Sequence, residues 1–361
     1  MKPLIAPHSV APLKLPTLFA ELSSNLSTAP KSFIDCAGCE NVGAPDSVIE
    51  VLSAAIRKHP ELIWDHWNPQ DENIRRKIAR LHSVDLEQVF ITSGAIAGID
   101  YCFRIFSRPG VNVGLRKPDW PGFLHYSEFY RGKTHILENF VFPFHMEADA
   151  ITQFVGEHGI ELMVMANPVP VQGHIIEEKD IAQMCQKCPE TLFVIDEADT
   201  LSPEKQIPHL TRNYRNLICL GSLSKFYGLS GLRIGYLICP PEYSSHFRNT
   251  INVLEVSSLA ILAGNLVLDD RSYQDTTQRN VRKSIEVFES ALQSSVYQIA
   301  ASPHCFGAYL YSTKINPTHT LKNHGVKILE GQYFGLPEAV YGGRFNLSNP
   351  KNAELAAQLL H

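Results

Sequence analysis

Lys225 lies in the stretch "SLSKFYGLSGLRIGY", residues 222–236, with Ser222 and Ser224 before it, three glycines after it and Arg233 eight positions on. A solvated surface lysine needs no such company. A lysine that acts as a nucleophile does, and its characteristic reaction is Schiff-base formation with a carbonyl compound. Residues of matching character recur upstream. Asp196 ends the run "TLFVID" and is followed by Glu197 and Asp199, Trp120 sits in "PDWPGF", and Ser93-Gly94-Ala95 follows "QVFIT".

These residues share a place relative to the elements that carry them. "QVFIT", "VNVGL", "LMVMA", "TLFVID" and "NLICLGS" are short runs apolar on both faces, as expected of strands in a parallel sheet covered by helices on each side. "SVIEVLSAAIRKH" and "NIRRKIARLH" have the apolar spacing of amphipathic helices. In open α/β sheets ligands sit beyond the carboxyl ends of the strands. There this chain places a small-residue cluster opening a helix, then an aromatic, then "NPVPVQG", then the acid and finally the lysine.

Taken together, the set reads as one binding site. Ser93, Gly94 and Ala95 at a helix start offer amide N–H groups and a positive dipole end to a phosphate. Ser222 and Arg233 complete that cup, arginine being suited to hold phosphate with two N–H groups. Trp120 can stack on a planar ring, Asp196 can face a ring nitrogen, and Lys225 can bond to an aldehyde. A phosphorylated aromatic aldehyde with a pyridine nitrogen is pyridoxal 5'-phosphate, an electron sink for carbanions at the Cα of amino acids.

The motifs also carry a resemblance. "SLSKFYGLSGLRIGY" is similar to the cofactor-lysine motif of class I/II aminotransferases of fold type I, and "VIDEAD" and "PDWPGF" resemble their pyridine-aspartate and ring-stacking segments. "CENVGAP" resembles a loop near the family's N-terminus, and "HWNPQDENIRRKIA" resembles the segment that reaches the partner subunit's phosphate. "GGRFNLS", with Arg344, resembles the motif that grips the substrate α-carboxylate. The matches run in the family's order from about residue 34 to 348. In length and motif style they are nearest to histidinol-phosphate aminotransferases and threonine-phosphate decarboxylases.

The resemblance implies a homodimer with Lys225 and Asp196 as catalytic residues. It implies further cofactor contacts from Asn167, Asp199 and Trp67, the last standing where relatives carry a tyrosine that crosses the interface. Arg344, Asp199 and Glu40 are the substrate-side candidates, and the two acids suit a cationic side chain. Two positions depart from the pattern. Pro170 in "NPVPVQG" and Asp199 stand where the family places an asparagine and a tyrosine that donate to the cofactor's 3-oxygen. From those departures the expected activity is Cα-proton abstraction diverged to side-chain elimination, replacement or cyclisation. The alternatives are ordinary amino transfer between an amino acid and a 2-oxo acid and, behind it, α-decarboxylation.

Bulk properties fit an enzyme of this kind. The chain has 361 residues, 44% hydrophobic and 19% charged, with a net charge of −5. Neither that charge nor any basic recognition helix suggests nucleic acid as a partner. No apolar run approaches the roughly 20 residues that span a bilayer. The start, "MKPLIAPHSVAPLKLPTLFAEL", with four prolines, reads as an arm, which leaves a cytoplasmic location as the expectation. The expected organisation is an arm over 1–45 that joins the small domain, a large doubly wound domain over 46–265, and a small α+β domain over 266–361. Eight cysteines include "CAGC" and "CQKC", whose wide separation argues for reduced structural thiols and against a zinc site. A nicotinamide-binding fold would need G-x-G-x-x-G directly after its first strand, whereas "GLSGLRIG" follows the lysine and has the wrong spacing.

Overall fold

The structure, a computed structural model, describes residues 34–38, 43–64 and 71–361. In chain order come β1 (Ile34–Asp35), α1 (Asp46–Lys58), α2 (Glu72–His82), β2 (Val89–Thr92), α3 (Gly94–Phe106), β3 (Asn112–Lys117), α4 (Gly122–Phe129) and β4 (Lys133–Glu138). After these follow α5 (Ala148–His158), β5 (Leu162–Ala166), α6 (Glu178–Lys187), β6 (Leu192–Asp196), β7 (Leu217–Ser222), β8 (Gly235–Ile238), α7 (Ser244–Thr250) and α8 (Ser258–Val267). The last third holds α9 (Arg271–Leu292), β9 (Gln298–Ala301), β10 (Gly307–Tyr311), α10 (Pro317–Asn323), β11 (Val326–Lys327), β12 (Leu329–Glu330), β13 (Gly342–Asn346) and α11 (Pro350–Leu360).

Local chemistry sets the element ends. Asp71 caps α2 by accepting from the amides of Asn73 and Ile74, and the helix closes at Ser83 in a left-handed conformation. Its buried residues Ile74 and Ile78 are four apart and therefore share one face.

Seven strands form the large sheet in the order β2-β8-β7-β6-β5-β3-β4. Every residue of β5 and β6 is buried, which is why those runs carry no polar alternation. β3, β4, β5, β6 and β7 pair in parallel. β8 is antiparallel to both β7 and β2. The linker from Ser222 to Gly235 carries only a short 3-10 turn at Ser230–Leu232 and no crossover helix, so the chain can return beside β7 only in the opposite sense. β4, "KTHILE", lacks an apolar run because it is the half-exposed edge strand.

The second sheet, β12-β13-β10-β9, is antiparallel. Arg344 lies on β13, flanked by Tyr309 and Leu329 on the neighbouring strands. The described segment 34–38 runs alongside this second sheet. Ile34 pairs with Val326, and the Cys36 carbonyl accepts from the Asn346 amide at 2.9 Å. One apolar cluster extends from Ile78 and Leu223 to Phe288, Phe306 and Phe345, so the two sheets share a core. Among the described residues no helix is long and apolar enough to cross a membrane.

Candidate active site

β2, β3, β5, β6 and β7 point the same way, so their carboxyl ends open on one edge of the sheet. Lys225 leaves β7 at that edge, three residues past its last residue. Its Nζ lies 2.9 Å from Asp199 Oδ2, whose side chain is only 5% exposed. Asp199 Oδ1 in turn stands 4.0 Å from Arg344 Nη2. A buried carboxylate thus sits between the candidate nucleophile and the arginine of the second sheet.

Arg344 is completely buried and held from two directions. Its Nε donates to the Pro170 carbonyl at 2.6 Å and its Nη1 to the Gly38 carbonyl at 2.9 Å. Asn346 Nδ2 also donates to Gly38, at 2.9 Å. These contacts fix the guanidinium and leave its Nη2 facing Asp199.

Asp196 ends β6 in a buried position, with Oδ1 accepting from the Ala198 amide at 3.0 Å. Burial lifts its carboxyl from 3.8 to about 6, Lys225 opposes that rise, and the nearby Asp199 and Asp119 add to it. A carboxylate in this condition calls for a cation at close range. The neighbouring Glu197 is also buried, and burial pushes its carboxyl well up; its Oε1 accepts from the Ile207 amide at 3.1 Å.

The start of α3 forms a cradle. Gly94 has φ +75°, and a Cβ there would lie 2.7 Å from Arg233 Nη2, so only glycine lets the guanidinium rest over the first turn. Gly235 permits the complementary approach, since a Cβ on it would meet the Ala95 amide nitrogen at 2.7 Å. Arg233 is itself left-handed, at φ 53°, and its Nη1 is fixed by the Ser230 carbonyl at 2.9 Å and by Ser224 Oγ at 3.4 Å. Ser222 Oγ accepts from the Ser224 amide at 3.0 Å, tightening the turn that presents Lys225. Ser93, Gly94, Ala95, Ser222 and Arg233 are therefore gathered with Ser224.

Trp120 follows β3, and its indole packs edge-on to Phe123 at 5.3 Å and over Gly122. A buried ion pair sets its backbone. Arg116 Nε donates to Asp119 Oδ2 at 2.7 Å, while Asp119 Oδ1 accepts from the Trp120 amide at 2.7 Å. Asn167 is directed elsewhere: its Oδ1 accepts from the Ile176 amide at 2.8 Å and its Nδ2 donates to the Ile176 carbonyl at 3.0 Å, closing loop 167–176 on itself. Glu40 and Trp67 lie outside the described residues, as does Cys39 of "CAGC".

Three contributors are not legible as site residues in the sequence. Glu255 Oε1 accepts from the Ser93 amide at 3.1 Å, and its Oε2 accepts from the Tyr101 hydroxyl, with burial raising its carboxyl above the ordinary value. Cys305 is buried near Asp199 and Arg344. Ser224, though inside the lysine motif, has no feature separating it from Ser222 until Arg233 is seen to touch it.

Known proteins share this fold. Residues 48–359 match the family model described as aminotransferase class I and II. The chain belongs to that family. Histidinol-phosphate aminotransferase from Natronomonas pharaonis is 25% identical over 326 residues, covering 89% of each chain. Among solved structures, histidinol-phosphate aminotransferase from Sinorhizobium meliloti, in complex with pyridoxal-5'-phosphate, superposes with a TM-score of 0.78 at 18% identity, covering 95% of this chain and 98% of that one. L-threonine-O-3-phosphate decarboxylase from Porphyromonas gingivalis superposes with a TM-score of 0.73 at 18% identity, covering 91% and 98%.

This aminotransferase-family enzyme uses pyridoxal 5'-phosphate, and its described residues fit that cofactor. The buried Asp196, its charge only partly offset by Lys225, matches a cationic ring nitrogen. The glycine cradle under Arg233 matches a phosphate, and Lys225 is placed near the two acids, Asp196 and Asp199.

Proposed function

We propose that this enzyme transfers the amino group of an α-amino acid to a 2-oxo acid. The observation that carries the reading is the alignment of Asp196, Lys225 and Arg344 around Asp199 at one sheet edge, in a chain of the class I and II family. When bound, pyridoxal phosphate supplies an electron sink for charge developing at Cα. The chain's own groups do the rest. Gly94 and Ala95 would hold the phosphate by amide N–H groups, Ser93, Ser222 and Ser224 by hydroxyls and Arg233 by its fixed guanidinium, the Ser93 amide being bound to Glu255. Asp196, ionised once a cation faces it, orients the ring nitrogen and keeps it protonated. Trp120, at the end of β3, would be the aromatic available to stack on the ring. Lys225 Nζ, once free of the cofactor, would be the group placed to hold and move the Cα proton, as general base and then general acid. Arg344 meets the α-carboxylate from the second sheet and so fixes which Cα bond faces the lysine.

The relatives' names support amino transfer over the side-chain elimination, replacement or cyclisation expected from Pro170 and Asp199. They also put histidinol phosphate on the substrate panel, with Arg344 suited to a phosphate as well as to a carboxylate.

A homodimer belongs to the same reading. Ile49 on α1, Ile63 and Trp64 in the 3-10 turn at Pro60–Ile63 and after it, and Val253 and Leu254 before α8 are 52%, 62%, 70%, 66% and 57% exposed. α1, that turn and α8 pack on one another, so these side chains form one apolar surface suited to a second copy.

To test the activity, the loaded enzyme is incubated with single amino acids and with histidinol phosphate, in deuterated water, with and without 2-oxo acids. The expected products are the 2-oxo compound matching the donor and the amino acid matching the acceptor, in steady turnover. Products altered at Cβ or Cγ, with deuterium there and no dependence on an acceptor, would overturn amino transfer in favour of side-chain chemistry.

A further inference from the structure

Among the described site residues, Asp199 is the one within reach of both Lys225 and Arg344. Oδ2 is 2.9 Å from Lys225 Nζ and Oδ1 is 4.0 Å from Arg344 Nη2. Its backbone continues directly into contacts with the second sheet's loop. Thr200 bridges Cys305, Leu201 N donates to the His304 carbonyl at 2.9 Å, and Ser202 Oγ lies 2.6 Å from His304 Nδ1. The backbone just after Asp199 is therefore tied to the second sheet's loop, and the carboxylate already stands at the lysine nitrogen. On the other side of the cofactor loop, Pro170 presents only its carbonyl, already bound by Arg344 Nε, and a ring that cannot donate.

We propose that Asp199 is the proton-holding partner of the Lys225 nitrogen. It accepts the N–H of that nitrogen while the lysine carries the cofactor, and it keeps the nitrogen protonated and the Lys225 side chain aimed at the substrate. An acceptor at 2.9 Å with a full negative charge and little water is the strongest partner a protonated nitrogen can have. The groups facing Asp199 allow this role. Lys225 comes from the turn after β7 and Arg344 from β13, and both are cations. Asp196 on β6 is an acid that burial pushes toward neutrality, and Cys305 in the loop before β10 is a thiol that burial pushes up to about 12. Two cations thus face the Asp199 carboxylate, one on each oxygen.

This inference deepens the proposed function and rests on Lys225 carrying the cofactor. The experiment separates the two. The loaded wild-type enzyme, Asp199→Asn and Asp199→Glu are titrated across pH while following the visible absorption band, whose position reports protonation of the cofactor-bound nitrogen. Each protein is also reduced with borohydride to check that the cofactor is on Lys225. In Asp199→Asn, the change from protonated to neutral band is expected at a pH lower by about one to three units, the size of effect an opposite charge at this distance has. Asp199→Glu is expected to restore part of the shift, which a merely structural role for Asp199 would not do. If Asp199→Asn folds, carries the cofactor on Lys225 and changes band at the wild-type pH, the inference is wrong. It is equally wrong if that band is unmoved while KM rises only for amino acids with a cationic side chain, since Asp199 would then serve the substrate. A wild-type protein that gives no lysine adduct would instead overturn the underlying reading.

Discussion

Replacing Asp196 by asparagine removes a charge from a place where burial lifts the carboxyl from 3.8 to about 6. Each pKa unit corresponds to about 1.4 kcal/mol, so keeping this acid ionised at neutral pH costs the cofactor-free protein about 3 kcal/mol. The sign follows from proton counts. Between pH 3.8 and about 6 the folded chain holds a proton that the unfolded chain has already released, so its stability falls as pH rises through that window. Asparagine keeps the oxygen that accepts from the Ala198 amide and carries no charge at any pH. Asp196→Asn is therefore expected to stabilise the cofactor-free protein by up to about 3 kcal/mol above that window and by nothing below it, while weakening amino transfer severely. Urea unfolding of both proteins without cofactor, at about pH 7.5 and about pH 4, measures the difference. A variant no more stable than the wild type at the higher pH, or equally favoured at both, would refute the reasoning that Asp196 is a buried acid awaiting a cation.

Other outcomes follow from the same geometry. Gly94→Ala brings a methyl group about 0.7 Å inside ordinary contact with Arg233 Nη2 and forces a left-handed alanine. Pyridoxal phosphate affinity, read by absorbance titration, is expected to fall roughly tenfold to a hundredfold. Arg344→Lys loses the donors to Pro170 and Gly38, and steady-state kinetics should show KM for the amino acid rising by a similar factor with a smaller change in kcat. Trp64→Asp places a charge in the exposed apolar surface of α1, the 3-10 turn and α8, and sedimentation should show a dimer turning into monomer.

Legibility in the sequence tracks how local each feature is. β5 and β6 stand where "LMVMA" and "TLFVID" place them, because strands buried on both faces announce themselves as unbroken apolar runs. β4 and β8 are not legible, one because an edge strand needs no apolar face and the other because its identity depends on β2 and β7 pairing around it. At the site, Lys225, Arg233 and Asp196 stand out by spacing and by family pattern. The contacts of Asp199 with both Lys225 and Arg344, or of Glu255 with the start of α3, join residues 26 to 162 positions apart, and no local pattern encodes such a meeting. Pro170 illustrates the limit from the other side. Its side chain makes it look like a loss, whereas its backbone carbonyl anchors Arg344.

The central claim, that Lys225 is the residue that carries pyridoxal phosphate, is tested most directly by borohydride reduction of the loaded protein followed by peptide mapping. A single adduct on the peptide containing Lys225, absent from a folded Lys225→Ala variant, is the result expected. An adduct on another lysine, or one that persists in Lys225→Ala, would contradict it.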